Sequence, residues 1–349
     1  MSASPNAVSV ECRTDVDGAS VFLSPRWFEL LSATGPRAEA PVRVYSLRTA
    51  SGESIAELPT VEEAGRGLWR PRTLRALSSY YTPLFAPLVT PGAALTCLPE
   101  VARVVARERA WDIVDLQPLA IEAPTFVALE DAFRAAGYLT QRYFRFANWY
   151  LHVAGRSFEQ YCESLPAALR NTIRRKTRKL AASHDVRVAI TTGEAADLER
   201  IVGAYERVYA ASWKEPEPDP TFIPRLIRVA AAEGWLRLGV LYIDDQPAAA
   251  QLWLTSGGTA SIYKLAHDER YAEWSVGSQL MLEMMRHALD VDRVDEVDFL
   301  MGDEPYKRDW MSGRRERWGI MAFDPRRPLG LLAAMRHIGG RALRKMFAR

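Results

Sequence analysis

The sequence is poor in the residues that build disulfides and metal sites. Its 349 residues include three cysteines and five histidines. Cys12, Cys97 and Cys162 are far apart, and none stands in a CxxC or zinc-ligand spacing. The histidines form no HExxH or similar cluster. We therefore predict reduced thiols in a reducing compartment and no metal ion.

Long apolar runs and a leader pattern are missing as well. No stretch of 18 apolar residues occurs, so no transmembrane helix is expected. The first residues, MSASPNAVSVECRTD, lack the basic and apolar segments of a secretory signal. The net charge of +2 is too small to attract a polyanionic partner to the protein as a whole. These absences make the cytoplasm the expected location. A peripheral contact with the inner membrane would depend on local features of the chain.

One such feature is the C-terminal segment 326–349. It has seven basic residues and no acidic one, and its apolar residues make it amphipathic. One interpretation is a basic tail that lies on an anionic bilayer as a peripheral membrane contact. The other is a tail without fixed structure, because Gly339 and Gly340 interrupt the helical pattern.

The rest of the chain is long enough for two domains, which we place at residues 1–155 and 156–325. In the second, strand and helix patterns follow in the order β-α-α-β-β-β-α-β-α-β from residue 186 to 324. This order predicts an α/β domain with a mixed sheet and helices on both faces. The first domain alternates strands and helices less clearly, so we expect a second domain of the same kind.

Chemically active side chains crowd the stretch DFLMGDEPYKRDW at residues 298–310. Four of them follow a strand end at Gly302: Asp303, Glu304, Tyr306 and Lys307. Ligands of open α/β sheets bind beyond the ends of strands, so this turn is a candidate active site. The simpler interpretation is a short surface helix with a carboxylate cap and a surface ion pair.

This stretch and YKLAHDERYAEWSVGSQL (263–280) together resemble the GNAT-fold acyltransferases of the CelD/BcsL-like type from cellulose biosynthesis. They are also similar to the Fem-type aminoacyltransferases, which carry tandem GNAT-like domains. The matching residues are Tyr263, Lys264, Asp268, Ser275, Gly277, Asp298, Phe299, Gly302, Asp303, Tyr306, Lys307 and Trp310. The family usually has proline where this chain has Val276. The resemblance covers roughly residues 155–325 and implies a degenerate GNAT-like domain before it.

The resemblance implies an acyl-CoA donor, such as acetyl-CoA. Its pyrophosphate is expected at the start of the helix after Ser275, which is predicted to cap that helix, while Gly277 admits close approach of a ligand. Its pantetheine arm is expected in a gap between parallel strands at 259–266 and 296–301. The predicted donor-binding residues are Tyr263, Lys264, Ser275, Val276, Gly277 and Ser278. An ordinary capped helix is the alternative.

Acyl transfer needs a base for the acceptor, a donor to the oxyanion and an acid for the leaving thiolate. We predict Asp303 or Glu304 as the base and Tyr306 as the acid. Lys307 is predicted to bind the oxyanion or a phosphate, the latter by resemblance to the Fem-type enzymes. His267 is a reserve base. No cysteine or serine stands in an activated arrangement, so direct transfer without a covalent intermediate is expected.

The remaining candidates are predicted to contact the acceptor: Trp213, Lys214, Asp268 and Trp310. Trp213 and Lys214 precede the proline-rich segment EPEPDP (215–220), in the position of the loop that shapes the acceptor pocket of GNAT folds. A simple helix break is the alternative. The expected acceptor is a small molecule or a glycan precursor. Asp298, in mid-strand, is expected to be a structural carboxylate.

We therefore expect an acyltransferase that acts on an amine or hydroxyl, by analogy in envelope or exopolysaccharide metabolism. A second hypothesis keeps the fold but takes aminoacyl-tRNA as the donor. Segment 165–183, with six basic residues and no acid, favours it, but the chain has no RNA-binding motif. A third hypothesis is a non-catalytic assembly factor next to the membrane. The sequence predicts no oligomeric state.

Overall fold

The computed structural model describes residues 20–34, 40–63, 70–90, 95–193 and 195–339. Its strands are β1 (Val42–Arg48), β2 (Ser54–Glu63), β3 (Thr73–Ala76), β4 (Leu88–Val89), β5 (Ile113–Ala120), β6 (Leu139–His152), β7 (Val186–Thr191), β8 (Leu236–Ile243), β9 (Gln246–Ser256), β10 (Thr259–His267), β11 (Glu296–Asp298) and β12 (Gly313–Phe323). Its helices are α1 (Pro25–Ala33), α2 (Leu98–Arg107), α3 (Pro124–Ala135), α4 (Phe158–Ser164), α5 (Ala167–Ala181), α6 (Ala195–Ala210), α7 (Phe222–Ala232), α8 (Val276–Arg286), α9 (Pro305–Arg308) and α10 (Pro328–Ala334).

These elements form two compact units. The first contains the described residues of Phe22–Phe146 together with those from Glu316 onward, and the second consists mainly of Ala147–Arg315. Strands β6 and β12 contribute residues to both units. The domain boundaries at residues 155 and 325 stay a prediction.

The first unit has a mixed sheet with the strand order β1-β2-β3-β5-β12-β6, and β4 lies beside β2. Strands β3 and β5 are parallel, whereas β1–β2, β2–β3 and β5–β12 are antiparallel. Helix α1 begins for a local reason, because the hydroxyl of Ser24 accepts the N–H of Trp27 at 3.2 Å and Pro25 fills its first position. The α/β character expected for this half is confirmed.

The second unit has a mixed sheet with the order β6-β11-β10-β9-β8-β7, in which only β10–β11 is a parallel pair among the described strands. The predicted element order is confirmed from β7 through β12. Strand β8 is buried along almost its whole length, which is typical of a strand covered on both faces. The fold class predicted from the sequence, α/β with a mixed sheet, is therefore correct.

The ends of two strands differ from the prediction. Strand β11 stops at Asp298 and not at residue 301, because Leu300 has a left-handed backbone (φ 56°) whose N–H donates to the Asp298 carboxylate at 2.7 Å. The last strand, for which the sequence pattern predicts residues 318–324, is β12 and begins at Gly313. Strands β3 and β4 were not predicted, since two to four residues are too few to show a period.

The segment predicted to be a basic tail begins with α10. This helix packs through Ala334 in a small apolar cluster. Apolar side chains are exposed on the helix and in the segment that follows it: Leu331, Leu332, Met335 and Ile338. Residues 340–349 lie outside the described part of the chain, so membrane contact stays a prediction. Among the described helices, none has the length and apolar character needed to cross a membrane. Within the same ranges, no three His, Cys, Asp or Glu side chains group as a metal site requires.

Candidate active site

The parallel strands β10 and β11 run side by side only at their beginnings. Three residue pairs join them, the last between Ser261 and Asp298. Strand β11 then ends, whereas β10 continues to His267, with a register shift against β9 at Tyr263. Beyond Ser261, β10 is therefore no longer paired with β11. Peptide groups on such an edge can pair with an extended ligand.

Helix α8 begins close by, with an open N-terminus. Its N-cap, Ser275, has a left-handed backbone (φ 52°), and its carbonyl accepts the N–H of Ser278 at 3.0 Å. The N–H groups of Val276 and Gly277 belong to the first turn, where helix geometry provides no intrahelical acceptor. Val276 is fully buried, so of these two residues only Gly277 is accessible to a ligand. The start of α8 therefore offers donors and a partial positive charge to an anion.

The hydroxyl of Ser275 does not cap α8, so the predicted side-chain cap is wrong. A capping side chain needs an extended backbone at the N-cap, which the left-handed Ser275 lacks. Its Oγ instead accepts from the Nζ of Lys176, on α5, at 2.9 Å. This contact brings an ammonium group to the positive end of a helix, a combination suited to a phosphate or pyrophosphate. Sequence reasoning noted the basic segment but did not single out Lys176.

His267 ends β10 beside the start of α8. Its ring packs on the indole of Trp213, with 4.5 Å between the ring centroids. Its Nδ1 lies 3.6 Å from the position that a Cβ on Gly277 would take. Burial lowers the pKa of His267, against a smaller opposing effect of Glu269 and Asp268. The imidazole is therefore neutral at pH 7 and can accept a proton.

A buried lysine fixes the turn between β11 and α9. The Nζ of Lys307 lies 2.8 Å from the carboxylate of Glu304 and donates to the carbonyl of Met301 at 2.6 Å. It also lies over the ring of Phe299, 5.2 Å from the centroid. Two of the three N–H donors of this ammonium are thus used within the turn, and the side chain is only 5% exposed. Lys307 therefore shapes the turn and has little surface for a substrate.

The two carboxylates predicted as bases have partners of their own. Asp303 accepts from the indole of Trp149 and from Arg314, both at 2.8 Å, and these hydrogen bonds, that of Arg314 first, hold its pKa below the usual range. Burial disfavours ionised Glu304, but the hydrogen bond from Lys307 and further favourable contacts outweigh burial and lower its pKa. Carboxylates with lowered pKa values are weak bases.

Tyr306 presents a phenol at the same turn. Its ring packs edge-on against Phe299, with centroids 5.7 Å apart, and 45% of the residue is exposed. Burial first, and then the charge of Glu304, raise the pKa of Tyr306 to about 12. The phenol therefore keeps its proton at pH 7 and can act as a proton donor, although the raised pKa makes it a weak acid.

Charged groups also meet at the proline-rich segment after α6. The Oε1 of Glu217 accepts from the Nζ of Lys264 and from the hydroxyl of Tyr209, both at 2.6 Å. Burial first, and then the charge of Lys264, lower the pKa of Lys214. Sequence reasoning missed Glu217, which holds Lys264 in a buried ion pair. The only sign of Glu217 in the sequence is that this acidic residue stands between two prolines.

Two residues predicted to contact the acceptor belong to the framework. Trp310 is 5% exposed within the apolar core of the second unit, and its carbonyl accepts from the hydroxyl of Tyr161 at 3.1 Å. Asp268 is also buried and accepts from the side chain of Arg270 at 2.6 Å. This hydrogen bond holds the pKa of Asp268 low. Neither side chain has free polar or apolar surface for a ligand.

The sequence around this site matches a known domain. Residues 167–308 match the model described as an acetyltransferase (GNAT) domain. The fold is GNAT-like. No curated protein is significantly similar to the chain in sequence. The domain match spans less than half of the chain, and the finer CelD/BcsL-like resemblance stays a prediction.

Similar solved structures extend beyond that match. FemX is 11% identical, with a TM-score of 0.59, and the alignment covers 87% of this chain and 92% of that chain. The C-terminal domain of a putative lysylphosphatidylglycerol synthetase from Agrobacterium fabrum is 10% identical, with a TM-score of 0.53. The alignment covers 89% of this chain and 95% of that chain. The structure of L-PGS from Bacillus licheniformis is 11% identical, with a TM-score of 0.51 and coverage of 88% and 94%. Such low identities show a shared fold and nothing finer.

Proposed function

We propose that the chain transfers an acyl group from an acyl-CoA, such as acetyl-CoA, to an amine or hydroxyl acceptor. The observation that carries this proposal is the divergence of β10 from β11 beside the open start of α8. A diphosphate suits the helix start with Lys176, and a peptide-like arm suits the edge of β10 beyond Ser261, where β11 no longer pairs with it. The GNAT domain match supports a thioester donor. An envelope role has support only from the likeness to a lysylphosphatidylglycerol synthetase.

In the proposed step His267 is the base and Tyr306 is the acid. The acceptor nitrogen or oxygen attacks the thioester carbonyl carbon, a new bond to that carbon forms, and the C–S bond breaks. His267 takes the proton that the nucleophile loses, and Tyr306 gives its proton to the sulfur. Solvent then returns both side chains to their neutral forms. Lys307 and Glu304 are positioning residues for the turn that carries Tyr306.

Replacing Lys176 by methionine tests the donor site. The loss of a charge-assisted contact to a diphosphate is expected to raise the Kd of CoA about 10- to 100-fold. Isothermal titration of the full chain with CoA measures the effect. Arg170→Met is the matched control, because this exposed arginine lies on the same helix without the contact to Ser275. Failure of CoA and acetyl-CoA to bind the native chain, or equal effects of the two variants, contradicts the donor site.

The pH dependence of turnover tests His267. The neutral imidazole is the active form, and its pKa lies below the ordinary value of about 6.5. We therefore expect kcat/KM to be constant above neutral pH and to reach half its maximum below pH 6.5. His267→Gln is expected to lower kcat about 100-fold or more and to remove this limb. The exposed His152, replaced by glutamine, is the control, and an unchanged profile in His267→Gln excludes the histidine as base.

Aminoacyl-tRNA is the second candidate donor, and the surface of α5 favours it. Exposed basic side chains line this helix: Arg170, Arg174, Arg175, Arg178 and Lys179. A gel shift with charged tRNA at physiological salt separates the two donors. A shift with nanomolar protein that fades steeply with salt supports the tRNA donor, whereas binding of acetyl-CoA without such a shift supports the acyl-CoA donor.

A further inference from the structure

A cavity of about 410 Å³ lies beside the end of α6, the proline-rich segment and the start of α7. Part of its wall is apolar and stiff: Pro216, Pro220, Ile223 and Pro224. Proline rings and a buried isoleucine provide a surface that holds its shape and favours an apolar group of a ligand. Two charged residues, Lys214 and Glu217, line the same cavity.

Glu217 leaves one oxygen of its carboxylate without a partner. Its side chain is 8% exposed, and its Oε1 already accepts from Lys264 and Tyr209. Its Oε2 is buried and has no hydrogen-bond partner among the described residues. A buried acceptor without a donor is destabilising, and more so when it is charged. Because Glu217 lines the cavity, a ligand donor that reaches this oxygen would satisfy it, and a cation would do so best.

Lys214 lines the same cavity and needs a hydrogen-bond acceptor for its ammonium group. Its side chain is half-buried, and within the described ranges its Nζ has no carboxylate or carbonyl partner; it stands over the ring of Trp213, 5.7 Å from the centroid. The nearby positive charge of Lys264 is already neutralised by Glu217. A carboxylate from a ligand would supply the missing acceptor for Lys214. Glu206 also lines the cavity, with an exposed side chain that favours a cationic group.

We propose that this cavity binds an α-amino acid with an apolar or aromatic side chain. The ligand ammonium donates to Oε2 of Glu217, its carboxylate accepts from Nζ of Lys214, and its side chain lies on the proline wall. An amine alone would leave Lys214 without an acceptor, and an acid alone would leave Glu217 without a donor. This binding does not rest on the proposed acyl transfer.

Titration of the full chain without any acyl-CoA tests the site. The probes are phenylalanine, phenethylamine, which lacks the carboxylate, and 3-phenylpropionate, which lacks the ammonium. Phenylalanine is expected to bind about 10-fold or more tightly than either analogue, because each analogue gives up one charge-assisted contact. Equal binding of the three probes, or no binding of phenylalanine at millimolar concentration, overturns the proposal with the native protein alone.

Two variants then assign the contacts. Glu217→Gln is expected to weaken phenylalanine and phenethylamine about 10-fold and to leave 3-phenylpropionate unchanged. Lys214→Met is expected to weaken phenylalanine and 3-phenylpropionate and to leave phenethylamine unchanged. Glu215→Gln, an exposed neighbour outside the cavity lining, is the matched control. A uniform loss for all probes overturns the assignment. Because CoA is titrated separately, a failure here is distinguishable from a failure of the donor site.

Discussion

Replacing Gly302 by alanine is expected to abolish most of the proposed acyl transfer and to destabilise the protein by about 2–4 kcal/mol. The backbone φ of Gly302 is +114°, a conformation that a residue with a Cβ rarely adopts. An added Cβ would clash with the carboxylate of Glu304 and would lie 2.7 Å from the Nζ of Lys307. The side-chain ends of Glu304 and Lys307 must therefore shift, which disturbs the ion pair that shapes the turn carrying Tyr306.

Gly155→Ala separates this clash from backbone strain alone. Gly155 has a φ of +70°, but no atom lies within 4 Å of the position of its added Cβ. We expect it to cost about 1–2 kcal/mol and to leave kcat/KM unchanged. Urea unfolding measures the stability of both variants, and release of free thiol from acetyl-CoA measures transfer. Equal costs for the two variants, or full activity of Gly302→Ala, would show that the turn does not position the site.

The order of elements was predictable from residue patterns, but their lateral contacts were not. Period-2 and helical patterns from residue 186 to 324 predicted β7 through β12 correctly, because each pattern is local in the chain. The parallel neighbours β10 and β11 came from a family resemblance. Where β11 ends depends on Asp298 and the left-handed Leu300, which no hydrophobic pattern records.

The sequence predicts candidate residue types for the site, but not the partners that set their chemistry. Asp303 and Glu304 were predicted as bases, but partners at a distance in the chain changed their chemistry. Trp149, which bonds Asp303, lies 154 positions away. Lys176 lies 99 positions from Ser275, and its Nζ donates a hydrogen bond to the hydroxyl of that residue. Such pairs are set by tertiary packing, so a single sequence carries no sign of them.

Asp298→Ala is expected to have the largest effect on stability, a loss of about 3–5 kcal/mol. This buried carboxylate, predicted as structural, accepts from the side-chain amide of Asn148 at 2.6 Å and from the N–H of Leu300 at 2.7 Å. It also pairs with Arg315, whose side chain is 21% exposed. Its removal leaves two buried donors unsatisfied and the guanidinium with Glu296 as its remaining partner.

The neighbouring Glu296 provides the matched control for this change. It pairs with the same Arg315, but its side chain is 23% exposed and supports no left-handed turn. Glu296→Ala is therefore expected to cost about 1 kcal/mol. Urea unfolding compares the two variants, and amide exchange over residues 299–303 reports the turn. Rapid exchange there in Asp298→Ala alone is expected, because the Leu300 N–H loses its acceptor. Equal stability of both variants would mean that the carboxylate at the end of β11 does not hold the turn on which Tyr306 depends.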